Sequence, residues 1–538
     1  MEFNLADLFE NAVDHFGDRD CIVAEGKRRT YAELDVRANR LAHHLQERGI
    51  GPGDHVGIYA LNCVEWIEAL WAVFKIRAIW ININYRYVED ELRYLFDNAN
   101  LDALIYQREY GPRVAAVRDE LPKLRHSIAI DDGSGADVSA LGSEDYERAL
   151  ATASPERGFG PRSSDDRYML YTGGTTGMPK GVVWRHEDVF FALGGGIDQV
   201  SGERVDRPEE MAEKGLAAAP QVFLPIAPLM HGATQWSVMG GSLVGRTNVL
   251  MAKFDAQQIW RLVEAERVNG VMITGDAMGR PLVEALEEPG PSRDLTSFGV
   301  LVSSAAVFSP TVKDAFFEHF PNLLITDSIG SSESGGNGVA LITRGNTAMK
   351  GGGPTVRAGA NTHVLDEEHR PVAPGSGVVG KLARSGNIPI EYYRDPAKTA
   401  ETFIERDGVR YAMPGDFAML EEDGTITLLG RGSVSINSGG EKIFPEEVES
   451  AIKSHPDAYD AVVVGVPDAR WGSRVSAVVQ PRAGASPTLE GIQAHCRTKI
   501  AGYKVPRELH LVDQIERAPS GKPDYRWARS VAEGSPPG

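Results

Sequence analysis

The chain has 538 residues, 42% hydrophobic and 24% charged. These are ordinary proportions for a folded protein, and the length suits two to four domains of about 100 to 200 residues each. Lys and Arg number 56 against 75 Asp and Glu, a formal charge of −19, which argues against a nucleic-acid partner gripped through its phosphodiester backbone. The cysteines are three, Cys21, Cys63 and Cys496. None has zinc-ligand spacing, which suits reduced structural thiols and a cytoplasmic location.

Residues 1–20 mix acidic side chains with Phe3, Leu5, Leu8, Phe9 and Val13, the pattern of an amphipathic surface helix and not of a signal peptide. The most apolar segment, VEWIEALWAVFKIRAIWINI, carries Glu65, Glu68, Lys75 and Arg77. Their burial in hydrocarbon would be costly, so the segment reads as helix followed by strand and no integral membrane segment is expected. Around it HVGIYA, AIWININ and DALIY read as strands and YVEDELRYLFDNA as a helix. The alternation resumes after Asp165 with RYMLYT, QVFLPIAP, NVLMAKF, the helix DAQQIWRLVEAERV, GVMITGD, FGVLVSSAA, a helix over 310–319 and LLITDSIG. Such αβ alternation predicts a largely parallel sheet with ligands at the carboxyl ends of its strands.

Past Arg344 the composition turns Gly- and Pro-rich, ending in the hairpin AMLEEDGTITLLG, whose Asp423-Gly424 suits a tight turn. After the loop GRGSVSINSGGEK comes a compact set: helix PEEVESAIKSH, strands DAVVVGV and RVSAVVQP, helix LEGIQAHCRTKI and strand ELHLV. The fold class is α/β, with one domain over 1–431 and a small α+β domain over 432–538.

The stretch LYTGGTTGMPKGVVW packs glycines, threonines and Lys180 between two apolar runs. Amides of a Gly/Thr turn converge on phosphate oxygens, hydroxyls add donors and Lys180 adds charge. It is no Walker A loop, which needs Lys directly after Gly and then Ser or Thr. GVVW reads as strand, so the loop should join two strands.

From Tyr171 to Gly181 this stretch resembles [YF]TSGTTGxPKG, the phosphate loop of the adenylate-forming enzymes, a superfamily of acyl-CoA synthetases, adenylation domains and luciferases. The resemblance covers nearly the whole chain. It implies a large amino-terminal domain of two αβ subdomains with a small β-barrel-like part, followed by a small mobile carboxy-terminal domain. Thr172, Gly173, Gly174, Thr175, Thr176 and Lys180 would hold phosphates. APLMHG puts His231 at the position gating the acyl pocket. SIGSSESG resembles YGxTE, making Glu333 a magnesium ligand together with Thr172, and Ser304, Ala305, Asp327, Ser328, Ile329 and Ser332 nucleotide neighbours. YAMPGDFAML resembles the RTGD motif, with Asp416 accepting hydrogen bonds from the ribose hydroxyls. GRGSVSINSGGEKIFPEEVE resembles the hinge motif, with Arg431 at the nucleotide and Gly439 and Gly440 facing the pantetheine channel. PSGKPDYRWAR makes Lys522 the catalytic lysine.

Ile329 replaces the usual adenine-stacking aromatic, Met413-Pro414 the usual Arg-Thr, and Ser433-Val434 the usual Lys-Asp at the hinge. With KGVVWRHED and AGYKVPR, these variants resemble the bacterial fatty-acid-CoA ligases that include the cholesterol side-chain CoA ligases. The implied cofactors are ATP, Mg²⁺ and coenzyme A, and the implied partner is an apolar carboxylic acid. Homodimers are common among such relatives. A stand-alone enzyme loading a separate carrier protein and a non-catalytic nucleotide-binding homologue are the alternative readings. Met230, Trp236, Met239 and Phe308 beside small Gly240, Gly241, Ala305 and Ala306 suggest an apolar acid pocket, with the small residues leaving volume.

Overall fold

A computed structural model describes the chain except residues 173–177, 199–200, 348, 350–352, 360, 439–440, 469–470, 519–520 and 535–538, and the side chains of Ser433 and Lys442. It divides into two compact units. The first comprises Met1–Met272, Arg293–Phe298 and Asn387–Phe403, the second Ile273–Ser292, Gly299–Gly386 and Ile404–Gly538.

Unit 1 contains an eight-stranded sheet in the order Glu391–Tyr392, Lys180–Arg185, Arg167–Thr172, Ile79–Asn82, His55–Tyr59, Ala103–Gln107, His126–Ile130, Glu144–Asp145. Its middle is parallel, as the αβ alternation predicts. Arg167–Thr172 and Lys180–Arg185 pair antiparallel, with Thr172 opposite Lys180, so the Gly/Thr loop does join two strands. Residues 64–75 form a wholly buried helix, followed by the strand Ile79–Asn82. Its charges are held in pairs: Arg37 Nε lies 2.5 Å from Glu68 Oε1, Tyr146 Oη donates to Glu68 Oε2 at 2.9 Å, and Lys75 Nζ lies 2.7 Å from Asp35 and also meets Glu10. Pairing is what lets ionic groups stay inside a protein. Among the described residues no helix is long and apolar enough to cross a membrane.

In unit 2, Val300–Ser304 runs parallel to Leu324–Ser331, which turns antiparallel onto Gly335–Ile342. The sheet continues through Thr355–Ala358, Thr425–Arg431, Asp416–Leu420 and Val379–Ser385. Ile329, Val356, Val364, Val372, Leu382, Ala418 and Ile426 form its core. The carboxy-terminal stretch forms a three-stranded sheet, Ala458–Asp468, Gly472–Pro481 and Glu508–Leu511, with helices Pro445–Lys453, Leu489–Arg497 and Tyr525–Ala532.

Strand Thr425–Arg431 and this carboxy-terminal set are joined through a short 3₁₀ turn, Gly432–Val434. Gly430 has φ 131, and a Cβ there would fall 2.3 Å from Glu446 Oε2, so side chains are excluded by both conformation and space. Glu446 keeps some exposed surface, but its Oε2 is buried with no hydrogen-bond partner among the described residues. Burial, with Glu449 nearby, pushes its carboxyl up to about 8. Between 4.5 and about 8 the folded chain therefore binds more protons at Glu446 than the unfolded chain, and stability falls as pH rises through that window. Denaturation midpoints measured across the window should fall with pH in the native protein. Glu446→Gln should flatten that dependence by up to one proton, about 1.4 kcal/mol per pH unit. Parallel profiles for the two proteins would contradict this.

Candidate active site

Glu333 sits in the tight turn between Leu324–Ser331 and Gly335–Ile342, and is buried. The turn is fixed locally: Ser331 Oγ accepts from Ser334 N at 3.1 Å, and Asn337 Nδ2 donates to Ser334 Oγ at 2.7 Å. Asp416 opens the strand Asp416–Leu420 just after Gly415, whose φ is 101, and pairs in register with Arg431. Arg431 Nε donates to Asp416 Oδ1 at 3.1 Å.

Lys522 comes from the opposite end of unit 2's sequence. Burial, reinforced by repulsion from Arg431, holds its ammonium below the ordinary lysine range, while Glu333 and Asp416 oppose the shift. The residue as a whole is nonetheless exposed, so the downward direction comes from the protein packed around its ammonium and from Arg431, not from enclosure of the side chain. Four predicted residues from four separate motifs, Glu333, Asp416, Arg431 and Lys522, thus share one electrostatic site.

The groups that hold Lys522 there carry no motif. Arg517 binds Asp460 twice, Nε to Oδ2 at 2.8 Å and Nη2 to Oδ1 at 2.7 Å, and donates from Nη1 to the Gly521 carbonyl at 2.9 Å. Burial alone would raise the Asp460 carboxyl, but Lys453 and Arg517 bring it down to about 2. Gly521, at φ 75, seats against the Thr274 carbonyl and the Ala277 side chain, 3.2 and 3.3 Å from where a Cβ would stand. Tyr459 Oη meets Glu284 at 3.3 Å, and Arg280 lies over the Tyr459 ring. The sequence signal was slight: Arg517 lies just ahead of the lysine motif, and Asp460 is the one acid at the head of an apolar strand.

Beyond Ser304 the backbone makes a γ-turn, with Ala305 at φ 66 and Ala306 N bonded to the Ser304 carbonyl at 2.9 Å. This is a strained conformation of a kind that concentrates at functional sites. Ser303 and Ser304 Oγ are buried without a hydrogen-bond partner among the described residues. Ser328 Oγ donates to the Ser303 carbonyl at 3.2 Å, and Ser332 lies beside Glu333 in the hairpin turn.

Two expected nucleotide neighbours have partners within the fold. Asp327 accepts from buried Lys313 at 2.8 Å, and burial pushes its carboxyl upward against that pairing. Ile329 is 5% exposed inside the β core, because the alternation of its strand turns it inward and leaves almost no face for adenine stacking.

In unit 1, Thr172 ends one strand and Lys180 begins the next. Lys180 Nζ pairs with Asp395, the N-cap of helix Pro396–Thr402, and this contact holds the carboxyl below its usual range. Gly173, Gly174, Thr175, Thr176, Gly439 and Gly440 lie outside the described residues. His231 caps the helix Gly232–Leu243. Sequence reading also missed Asn82. Its Nδ2 donates to the carbonyls of Tyr171 and Met230 at 2.9 and 2.7 Å, and its Oδ1 accepts from Tyr171 N at 2.7 Å, tying the phosphate-loop strand to the segment before His231. An Asn between two isoleucines in the apolar run AIWININ was the available signal.

The expected volume beside Gly240 and Gly241 is filled. A Cβ at Gly240 would lie 3.3 Å from the Gly194 carbonyl, and at Gly241 about 3.0 Å from the Arg246 side chain. These glycines serve close packing of the chain on the helix, and Met239 and Phe308 are fully buried. A cavity of about 690 Å³ in unit 1 is lined by Glu25, Lys27, Arg28, Lys253, Asp255 and Glu266 among others. It contains none of the residues above, so the chemistry does not belong there.

Residues 9–393 match the family model described as AMP-binding enzyme, and residues 447–522 that described as AMP-binding enzyme C-terminal domain. The chain belongs to the AMP-binding enzyme family. This AMP-binding enzyme is 52% identical over 533 residues to a 3-oxocholest-4-en-26-oate–CoA ligase of Rhodococcus rhodochrous, covering 98% of this chain and 96% of the relative. It is 50% identical over 536 residues to a medium/long-chain-fatty-acid–CoA/3-oxocholest-4-en-26-oate–CoA ligase of Mycobacterium tuberculosis, covering 100% and 97%. The structure of the anthranilate CoA ligase AuaEII in complex with anthranoyl-AMP superposes with a TM-score of 0.83 at 21% identity, covering 98% and 97%. That likeness carries the α/β fold.

If Arg517 positions Lys522, freeing it changes the amine's environment. The pH dependence of Lys522 labelling by an amine-reactive reagent, read by mass spectrometry, should lie below the ordinary lysine range, about 10.4. Arg517→Ala should shift it upward, and Arg517→Lys should shift it less. An unchanged profile in a folded Arg517→Ala protein would contradict the positioning role.

Proposed function

We propose that this AMP-binding enzyme is an ATP-dependent acyl-CoA ligase that converts an apolar carboxylic acid, a fatty acid or a steroid side-chain acid, into acyl-AMP and then acyl-CoA. The observation that carries the reading is the convergence of Lys522, Glu333, Asp416 and Arg431. The activities for which relatives at 50 and 52% identity are named support the substrate class.

A carboxylate is a poor electrophile at neutral pH, because its charge repels nucleophiles and oxide is a bad leaving group. In the first half-reaction a carboxylate oxygen attacks the α-phosphorus of ATP and the bond to pyrophosphate breaks. In the second, the thiol sulfur of coenzyme A attacks the acyl carbon and AMP leaves. Charge grows on phosphate oxygens in the first step, so preset donors around them lower the barrier.

Thr172 to Thr176 and Lys180 hold the β and γ phosphates, for which Lys180 exchanges Asp395. Asp416 takes the ribose hydroxyls, sharing its carboxylate with Arg431. Ser304 Oγ and the strained Ala305 turn border the nucleotide, and Lys522 bridges carboxylate and α-phosphate. His231 gates the acyl pocket. Glu333 and Thr172 supply oxygen donors, which fit a hard cation such as Mg²⁺. Bound there, the ion neutralises phosphate charge.

The domain 432–538 serves both half-reactions by turning about the Gly432–Val434 segment. Lys522 faces the site in the first, and Gly439 and Gly440 border the pantetheine in the second. Three buried free thiols support work in the reducing cytoplasm, and the homodimer is carried over only from the family resemblance.

Lys522→Ala should slow adenylate formation by about 10²- to 10³-fold, as loss of one preset donor does. Thioester formation from supplied acyl-AMP should remain nearly intact in that variant. Rapid-quench measurement of each half-reaction decides the matter, and equal loss in both would refute the assignment.

A further inference from the structure

Away from this site, three potential metal ligands meet where the helix Tyr31–Glu47 crosses the end of the eight-stranded sheet. His44 lies in the helix's last turn, His126 opens the strand His126–Ile130, and Glu144 opens the edge strand Glu144–Asp145. His44 Nε2 stands 3.2 Å from His126 Nε2 and 3.3 Å from Glu144 Oε2, and all three ligand atoms lie within 4.8 Å of one another. His44 is buried and the other two are half-buried. Among the described residues no other such group of His, Cys, Asp or Glu occurs.

Two distances match a coordination polyhedron. Bonds of about 2.0 to 2.1 Å at the tetrahedral angle put neighbouring ligand atoms about 3.3 Å apart. Hydrogen bonding alone serves this cluster poorly. A proton between the two imidazole nitrogens satisfies one contact and leaves a carboxylate oxygen facing a ring nitrogen that is already engaged. A dication at the centre satisfies all three lone pairs at once.

The surroundings hold the ligands in place. Arg48 Nε donates to Glu144 Oε1 at 2.7 Å, leaving Oε2 for the cluster, an outer-shell contact of the kind that orients metal-binding carboxylates. Ser127 and Ser143, each the immediate neighbour of a candidate ligand, share a hydrogen bond of 2.8 Å, and Ser143 also meets Tyr106 Oη at 2.7 Å. The two ligand-bearing strands are therefore locked to each other independently of any ion.

We propose that His44, His126 and Glu144 form a structural site for a zinc-type dication, with water completing the tetrahedron on the half-exposed side. Two imidazoles and one carboxylate favour Zn²⁺ or Co²⁺ over Mg²⁺, which prefers oxygen ligands alone. The site clips the helix end to the last two strands, residues far apart in sequence, and stabilises unit 1 through the ion's binding free energy. It is distinct from the oxygen-donor magnesium position at Glu333 and takes no part in acyl transfer.

The test uses tag-free, chelator-treated full-length protein titrated with Co²⁺. The native chain should give the visible ligand-field bands of tetrahedral Co²⁺, saturating at one equivalent and abolished by Zn²⁺. Zn²⁺ should also raise its thermal midpoint. His126→Gln should weaken Co²⁺ binding more than 10-fold and lose the Zn²⁺ shift. Glu144→Gln, at a half-exposed position, does the same and carries the test if His126→Gln misfolds. Absence of tetrahedral bands in the native chain, or equal bands and equal thermal shifts in a folded variant, would overturn the proposal.

Discussion

One half-buried ion pair governs the placement of chemistry in this molecule. Arg517 and Asp460, joined by two hydrogen bonds, fix the turn that carries Lys522. A guanidinium fork on a carboxylate sets orientation as well as distance. That precision matters because a lysine opposite Glu333, Asp416 and Arg431 is useful only where its charge meets the charge that develops during reaction.

The binding groups share a second property: they already have partners. Lys180 is held by Asp395, and Asp416 by Arg431. In the proposed roles a triphosphate and a ribose compete with carboxylate and guanidinium, so part of the binding free energy goes into exchanging partners. The contacts that seat Tyr459 and Gly521 on the helix Gly275–Glu287 are polar or small. Such contacts separate with less cost than an apolar interface, as the proposed turning of the domain 432–538 requires.

Periodicity made most elements legible. The helix Pro310–His319 and the strand Arg167–Thr172 were readable to the residue, because turn signals and apolar alternation bracket them. Motif spacing named Glu333, Asp416, Arg431 and Lys522, but what holds them was hidden. Asp460 and Arg517 are 57 residues apart in sequence, and neither neighbourhood announces the other. Glycine was ambiguous: Gly240 and Gly241 suggested empty volume, whereas the structure uses them to admit a backbone carbonyl and an arginine. The place of Ile329 in a motif likewise said nothing of the β core in which its side chain is packed.

The most direct measurement of the central claim is isotope exchange between pyrophosphate and ATP, run without coenzyme A across a panel of carboxylic acids. The account predicts exchange that depends strictly on an acid, is strongest with medium- or long-chain fatty acids or a steroid side-chain acid, and collapses in Asp416→Ala. Exchange indifferent to the acid, or absent across the whole panel in folded native protein, would contradict it.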